Sequence, residues 1–133
     1  MNTVKNMDHI RAANAICHCN DTFKGVDGGS IVKKIPPMIR DNGFLGALAF
    51  AVENDKNGNP KNPGHYHVFE CILEHLKKLS RVPDKCSDPF ELMEYLVESD
   101  SAKLRDVTAE SLLYMNYLRR FVKPGTDKQG KDE

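Results

Sequence analysis

Residues 35–53 read IPPMIRDNGFLGALAFAVE. The second half of this stretch, residues 43–52, has no polar side chain, which is far too short to cross a membrane but enough for one helix that is apolar all round. Pro36-Pro37 suits the first turn of a helix, because the missing N–H groups have no partner to lose there. Asn42-Gly43 suits a helix end, where the backbone can turn left-handed. The stretch therefore predicts two helices that meet at a sharp corner at Asn42-Gly43.

The length and the net charge of the chain limit its possible domain organisation and function. Its 133 residues predict one domain, which we place at residues 1–123, followed by a flexible C-terminal tail at residues 124–133. The 19 basic residues balance the 19 acidic ones, so any binding of nucleic acid must depend on local patches. Without a signal-like N-terminus or a segment of membrane length, we expect a cytoplasmic protein with no membrane contact. The four cysteines are then expected to be reduced thiols.

Helical spacing of apolar residues covers most of the remaining chain. The predicted helices lie at about residues 3–23, 65–81, 88–98 and 101–122, and the turn-rich segments 24–29 and 54–64 are predicted to be loops. Asp88 is the expected N-cap of the third of these helices, with Pro89 at its first position. No strand-like alternation is present. The predicted fold class is all-α, a compact single-domain bundle of about six helices.

Four segments carry a family pattern, and they are Lys33–Pro36, Ile39–Phe44, Leu48–Phe50 and Met115–Phe121. They correspond to a lysine-hydrophobe-proline approach, an Ile-x-x-Asn-Gly-Leu corner, a Leu-Ala-Phe helix and a closing Leu-x-Trp-Leu-Lys-Arg-Phe motif. In these motifs the chain resembles the small all-helical subunit of type III-B CRISPR effectors, the fifth subunit of the Cmr complex. Ile10–Ala13 also resembles the first helix of that family. The chain departs from the pattern at Phe44, where leucine is usual, and at Tyr117, where tryptophan is usual.

The resemblance implies a noncatalytic structural subunit of an RNA-guided complex in antiviral defence. The implied partners are guide RNA and target RNA, a large polymerase-like subunit, a filament of backbone subunits, and further copies of this chain stacked along the RNA. No cofactor is implied. The small subunit of type III-A effectors is also helical and basic, and it stays open as an alternative.

Basic residues of the last helix are the first candidates for contact with RNA. At about 100° per residue, Arg105, Arg119 and Lys123 fall opposite the apolar stripe of this helix, with Arg120 close by. Guanidinium groups suit phosphate oxygens and carry no sequence preference, so this strip could line an RNA path. The alternative is an ordinary solvated helix face.

Four further basic residues rank below that strip. Lys33, Lys34 and Arg40 lie near the Pro36-Pro37 turn, at opposite ends of one helix, and need not form one patch. Arg11 occupies a position that the family also fills with arginine. Its alternative role is a salt bridge to Asp8, three residues earlier.

A metal site is the main alternative to the hypothesis of RNA binding. His67, Cys71 and His75 are spaced four residues apart along one helix, with His65 nearby. Neighbours one turn apart can share a zinc ion, but three successive turns cannot converge on one ion. Cys17 and Cys19 are two residues apart on a helix and point apart. Without a fourth ligand, a zinc-binding helical protein is the remote alternative, and we expect no metal site.

The pattern of residues also argues against catalysis. The chain has no nucleophile elbow, no glycine-rich phosphate loop with the required lysine spacing, and no paired carboxylates in an apolar setting. We therefore expect no catalytic residue and no enzymatic activity.

The third hypothesis is a helical adaptor that binds only protein. Residues 88–100 contain five acids and no base, opposite in sign to the basic strips. Copies of the chain could stack head to tail through these surfaces, since a heterologous contact of this kind makes an open filament.

Overall fold

Five helices make up the fold, and they are α1 (Met7–Ile16), α2 (Ile31–Val52), α3 (Pro63–Lys78), α4 (Pro89–Val97) and α5 (Ser101–Phe121). This computed structural model describes residues 6–23 and 30–122, which contain no β-strand. The predicted all-α bundle is confirmed. The six predicted helices correspond to these five, because α2 is bent into two arms. The predicted loop at 24–29 and the predicted tail at 124–133 lie outside the described residues.

The bend in α2 is at Gly43, whose φ of 82° and ψ of 159° leave the helical region. Glycine tolerates this conformation because it has no Cβ. The corner predicted at Asn42-Gly43 is therefore confirmed. The second arm is less central than its composition indicated, since Gly46, Ala49 and Phe50 on one of its faces are exposed.

The start of α2 corrects the prediction made from its prolines. The helix begins at Ile31, so Pro36-Pro37 lies in its second turn and not in its first. Each proline removes one N–H donor from the helix. Ile31, Val32 and Ile35 are all buried, and their burial favours continuing the helix toward its N-terminus in spite of the missing bonds.

Side-chain caps define three helix starts. Asp88 accepts a hydrogen bond from the backbone N–H of Glu91 at 2.9 Å, with Pro89 in the first turn of α4, as predicted. Asp100 accepts one from the backbone N–H of Lys103 at 2.9 Å and starts α5. Asn6 caps α1 through the backbone N–H of His9 at 3.0 Å. Caps of this kind contribute about 1 kcal/mol each.

Helix α1 is shorter than the predicted span of residues 3–23. It ends at Ile16, and the chain continues through a tight turn in which Cys19 donates its backbone N–H to the carbonyl of Ile16 at 3.0 Å. The segment after this turn brings Phe23 into the core, where it is 1% exposed. A longer helix would carry Phe23 away from the core, so burial of this ring explains the early end.

Helix α2 is the centre of the packing, with α3, α4 and α5 against it, while α1 packs mainly on α5. The rings of Phe44 and Phe69 meet edge to face with their centroids 5.5 Å apart, which joins the corner of α2 to α3. None of the helices described is both long and apolar enough to span a membrane.

Candidate functional site

Three arginines on α5 are exposed, as the sequence predicted: Arg105, Arg119 and Arg120. Arg105 and Arg119 are almost four helical turns apart, so they share a face and are separated by about 21 Å along the axis. Neither of them forms an ion pair with another described residue. The ion pairs of lysine and arginine between described residues involve Arg11, Arg81, Lys61 and Lys78. Arg120 donates through Nε to the backbone carbonyl of Asn116 at 3.1 Å. Lys123, the fourth member of the predicted strip, lies outside the described residues.

The basic residues of α2 are also exposed: Lys33, Lys34 and Arg40. Because α2 begins at Ile31, Lys33 and Arg40 belong to the same helical arm and are seven residues apart. Seven residues make two turns, which places the two side chains on one face about 10 Å apart. The spacing of these residues in the sequence does not require one patch, but the longer helix aligns two of them.

Arg11 has a different environment from the other candidate cations. Its Nε and Nη2 donate to the two carboxylate oxygens of Glu110 at 2.8 and 2.9 Å, and its Nη1 donates to Asp8 at 3.1 Å. The Arg11 side chain is only 12% exposed. The predicted salt bridge with Asp8 is confirmed, but the stronger partner is Glu110 on α5, since two parallel bonds fix the guanidinium in place.

Glu110 is the centre of a buried polar cluster that joins α1, α3 and α5. His75 donates through Nε2 to Glu110 at 2.9 Å, and Asn14 donates its amide to Nδ1 of His75 at 2.8 Å. The His75 ring is fully buried and stacks on Tyr114, with centroids 4.3 Å apart. We call Arg11, Asn14, His75 and Glu110 the Glu110 cluster.

The surroundings of the Glu110 cluster shift the pKa of two of its members. Burial lowers the pKa of His75, and the charges of Arg11 and Arg81 act in the same direction against the hydrogen bond to Glu110. Burial acts to raise the pKa of Glu110, but hydrogen bonds from Arg11 and His75 together with their charges hold this pKa below its ordinary value. At neutral pH the cluster therefore pairs an ionised Glu110 with a cationic Arg11 and a neutral His75.

Tyr114 provides a test of packing beside this cluster. Its hydroxyl is buried and has no hydrogen-bond partner within the described part of the chain. Because an unsatisfied buried hydroxyl destabilises the folded state, we expect Tyr114→Phe to raise the free energy of unfolding by about 1 kcal/mol, measured by urea denaturation. Tyr95→Phe, at a half-buried position, is the control and should change it by less than about 0.5 kcal/mol. A destabilised Tyr114→Phe protein would contradict this assignment.

A second polar cluster joins the turn after α1 to α3. Asp21 accepts through one oxygen, Oδ2, from Nδ1 of His18 at 2.7 Å and from Nε2 of His67 at 2.9 Å. The Sγ of Cys71 lies 4.0 Å from the same oxygen. On its other ring nitrogen, Nε2, His18 contacts Glu74 at 2.5 Å. We call His18, Asp21, His67, Cys71 and Glu74 the Asp21 cluster.

The two clusters divide the histidine and cysteine stripe that the sequence analysis singled out. His67 and Cys71 face Asp21, whereas His75, one turn further along α3, faces Glu110. The prediction that three turns do not converge on one point is confirmed. His18 and Asp21 were missed, because nothing in the local sequence shows that a turn would carry them onto α3. Glu110 was also missed, although its place within the apolar stripe of α5 was a usable signal.

The acidic segment has two kinds of carboxylate. Glu91 accepts from both the backbone N–H and the hydroxyl of Ser87 at 2.8 Å, and these bonds lower its pKa. Glu94 and Glu98 are exposed and lie one turn apart on α4 and its C-cap. The acidic surface that could meet a partner is therefore centred on Glu94 and Glu98.

Comparison with known proteins identifies the family of the chain. A family model described as CRISPR-associated protein (Cas_Cmr5) matches residues 9–124. The matched range includes the corner at Gly43, the exposed cations of α2 and α5, and both polar clusters. No curated protein and no solved structure matches the chain.

Proposed function

Because the chain belongs to the CRISPR-associated Cmr5 family, we propose that it acts in the type III-B Cmr complex as a noncatalytic structural subunit. Its task there is to stack along the guide RNA and target RNA and to contact their phosphates. The observation that carries this proposal is the presence of exposed arginines on α5 without acidic partners among the described residues.

The arginines of the described chain differ in what they contact. Arg11 and Arg81 bind carboxylates of α5, and Arg81 reaches Asp106 at 2.6 Å. Arg105, Arg119 and Arg120 are instead exposed and form no ion pair with another described residue. A guanidinium group binds phosphate through two parallel hydrogen bonds and is indifferent to base identity. This suits a subunit that must follow RNA of any sequence.

The proposed RNA contacts are centred on the last turn of α5. Arg119 and Arg120 come first, followed by Arg105 on the same helix and by Lys123 just beyond it. The exposed cations of α2, which are Lys33, Lys34 and Arg40, form a second contact surface. We leave Arg11 out of the proposed set, because its guanidinium is held by Glu110 and Asp8. The zero net charge of the chain is consistent with weak RNA binding by the isolated subunit.

Contacts between copies are the second part of the proposal. The exposed carboxylates Glu94 and Glu98 on α4 are opposite in charge to the arginines of α5. A contact between different surfaces of identical chains repeats without closing, which gives a row of copies along the RNA. The other partners are the large polymerase-like subunit and the backbone subunits of the Cmr complex.

Reconstitution of the complex tests the RNA surface. We expect the wild-type chain to add mass in steps to an effector that lacks its small subunit and to extend the protection of target RNA from nuclease. The variant Arg119→Glu/Arg120→Glu should still add mass but should weaken RNA retention roughly tenfold or more, because two phosphate contacts become repulsive. The deficit should shrink as salt is raised, because salt weakens both the phosphate contacts of the wild type and the repulsion in the variant.

The matched control changes charge equally at another surface. Lys56→Glu/Lys61→Glu alters two exposed lysines of the loop between α2 and α3 and should leave protection unchanged. Equal protection by the arginine variant and the wild type would contradict the proposed RNA surface. If the wild type adds mass and never protects RNA, the chain is instead an adaptor that binds only protein.

A further inference from the structure

The Asp21 cluster brings together three kinds of metal-binding atom. Nδ1 or Nε2 of His18, a carboxylate oxygen of Asp21 and Sγ of Cys71 all lie within 4.8 Å of one another. His67 adds a second imidazole, 2.9 Å from the same Asp21 oxygen. These residues come from two separate parts of the chain, the turn after α1 and the helix α3. An ion pair between a histidine and a carboxylate does not require a thiol sulfur and a second imidazole beside it.

We propose that His18, Asp21 and Cys71, with His67 as the fourth ligand, bind one zinc ion. Zinc takes imidazole nitrogen, carboxylate oxygen and thiolate sulfur in tetrahedral sites, at distances of about 2.0–2.3 Å. Those distances place neighbouring ligand atoms roughly 3.3–3.8 Å apart. In the structure, Oδ2 of Asp21 lies 2.7 Å from Nδ1 of His18 and 4.0 Å from Sγ of Cys71, and the ligand atoms of these three residues lie within 4.8 Å of one another, on both sides of this range. Small side-chain rotations would reach it.

The two ring nitrogens of His18 allow a metal on one side of the ring and a carboxylate on the other. Nδ1 faces Asp21 and Nε2 faces Glu74, so each nitrogen contacts a carboxylate. An imidazolium would donate to both, whereas a neutral imidazole carries one proton and can donate to only one. With zinc bound at Nδ1, the proton stays on Nε2 and donates to Glu74. This is the carboxylate-histidine-zinc arrangement that orients ligands in many zinc sites.

The negative charge around Cys71 favours the binding of a cation. The thiol is buried, and the carboxylates of Asp21, Glu74 and Glu70 are near it. Lys78 balances part of this charge, since its Nζ is 3.8 Å from Glu74. A divalent cation would offset the rest and would allow the thiolate to form.

Access to the site is through an open cleft of about 460 Å³, whose lining includes His18, His67, Cys71 and Glu74. The types of ligand atom determine which metal ion this site favours. Calcium and magnesium prefer oxygen ligands, whereas a thiolate beside imidazoles favours zinc. The ion would join the turn after α1 to α3, so its expected role is structural and independent of RNA contact.

Metal analysis of the isolated full-length chain tests the site. We expect one zinc per chain after incubation with zinc and dialysis into metal-free buffer, measured by elemental mass spectrometry. Zinc should raise Tm by roughly 10 °C when its free concentration exceeds Kd a hundredfold. With Co²⁺ as the probe, the chain should show thiolate-to-cobalt charge-transfer absorption that Cys71→Ser removes.

Variants separate the proposed ligands from other metal-binding groups. His18→Gln, Asp21→Asn and Cys71→Ser should each lose stoichiometric zinc, and Glu74→Gln should weaken zinc binding about 10–100-fold. The controls Cys86→Ser and His65→Gln change a buried thiol and an imidazole outside the cluster and should keep one zinc per chain. His18 and Asp21 are partly exposed, so their variants decide the question if Cys71→Ser fails to fold.

Three results would overturn the proposal. They are a wild-type chain without stoichiometric zinc, full zinc content in both His18→Gln and Asp21→Asn, and equal loss of zinc in the two control variants. None of these measurements involves RNA or the other subunits, so their outcome is separate from that of the reconstitution.

Discussion

Replacing Glu110 by glutamine is expected to lower the free energy of unfolding by about 3 kcal/mol. Glu110 is 3% exposed and accepts hydrogen bonds from Arg11 and His75. Glutamine keeps the shape of the side chain but removes the negative charge, which leaves the guanidinium of Arg11 in a mostly buried place without its counter-ion. The loss should be near the lower end for buried pairs, because Arg11 keeps some contact with water and with Asp8.

Urea denaturation at neutral pH measures this change. Glu98→Gln, which removes an exposed carboxylate, is the matched control and should have an effect below about 0.5 kcal/mol. The double variant Arg11→Met/Glu110→Leu should recover much of the stability, because the loss comes from an unpaired charge and not from missing volume. A Glu110→Gln protein as stable as the wild type would show that the ion pair is not the basis of this contact.

The pH dependence of stability gives a second readout for the same variant. The pKa of Glu110 is held below its ordinary value of 4.5, so its contribution is complete above that value and is lost as the pH falls through the folded-state pKa. The pKa of His75 is lowered from 6.5, so stability begins to decline below about that pH. Glu110→Gln should flatten the more acidic part of this curve.

Gly43→Ala is the second change with a large expected effect, a loss of about 2 kcal/mol in the free energy of unfolding. The corner of α2 requires a φ of 82° and a ψ of 159°, a combination that is nearly restricted to glycine. A Cβ at this position would have no atom within 4 Å, so crowding does not contribute. The expected loss is entirely backbone strain.

Gly46→Ala is the matched control, three residues further along α2. Its Cβ would lie 3.3 Å from Cβ of Asn42, a tight contact, while alanine favours the helix by roughly 1 kcal/mol. We expect these effects to cancel within about 0.5 kcal/mol in the same urea experiment. If the two variants behaved alike, the corner would not depend on the conformation of Gly43.

Local signals explain which parts of the fold could be predicted. Asp88-Pro89 and Asn42-Gly43 act on the backbone within a few residues of their own positions, so the start of α4 and the corner of α2 could be predicted from the sequence. The start of α2 could not be predicted from local signals, because it depends on the burial of Ile31 and Val32 by other helices. Tertiary packing also ended α1 early, where Phe23 turns into the core.

The polar clusters show the same division. The exposure of Arg105, Arg119 and Arg120 follows from helical periodicity within α5. The Asp21 cluster depends on a turn meeting a helix some fifty residues away, since His67 and Asp21 are 46 positions apart. Sequence spacing alone found only the half of this cluster that lies on α3, which is why a fourth ligand seemed to be missing.

Helix α1 has one further property with a consequence for the folded state. Ala15 is the buried residue of this helix, and Arg11, Asn14 and the neighbouring His18 add hydrogen bonds to other helices. An element that buries little apolar surface can detach by local unfolding at a lower free energy than the rest. We expect the amides of α1 to exchange with solvent through this opening, and to exchange faster as acidity or ionic strength rises and weakens the charged contacts.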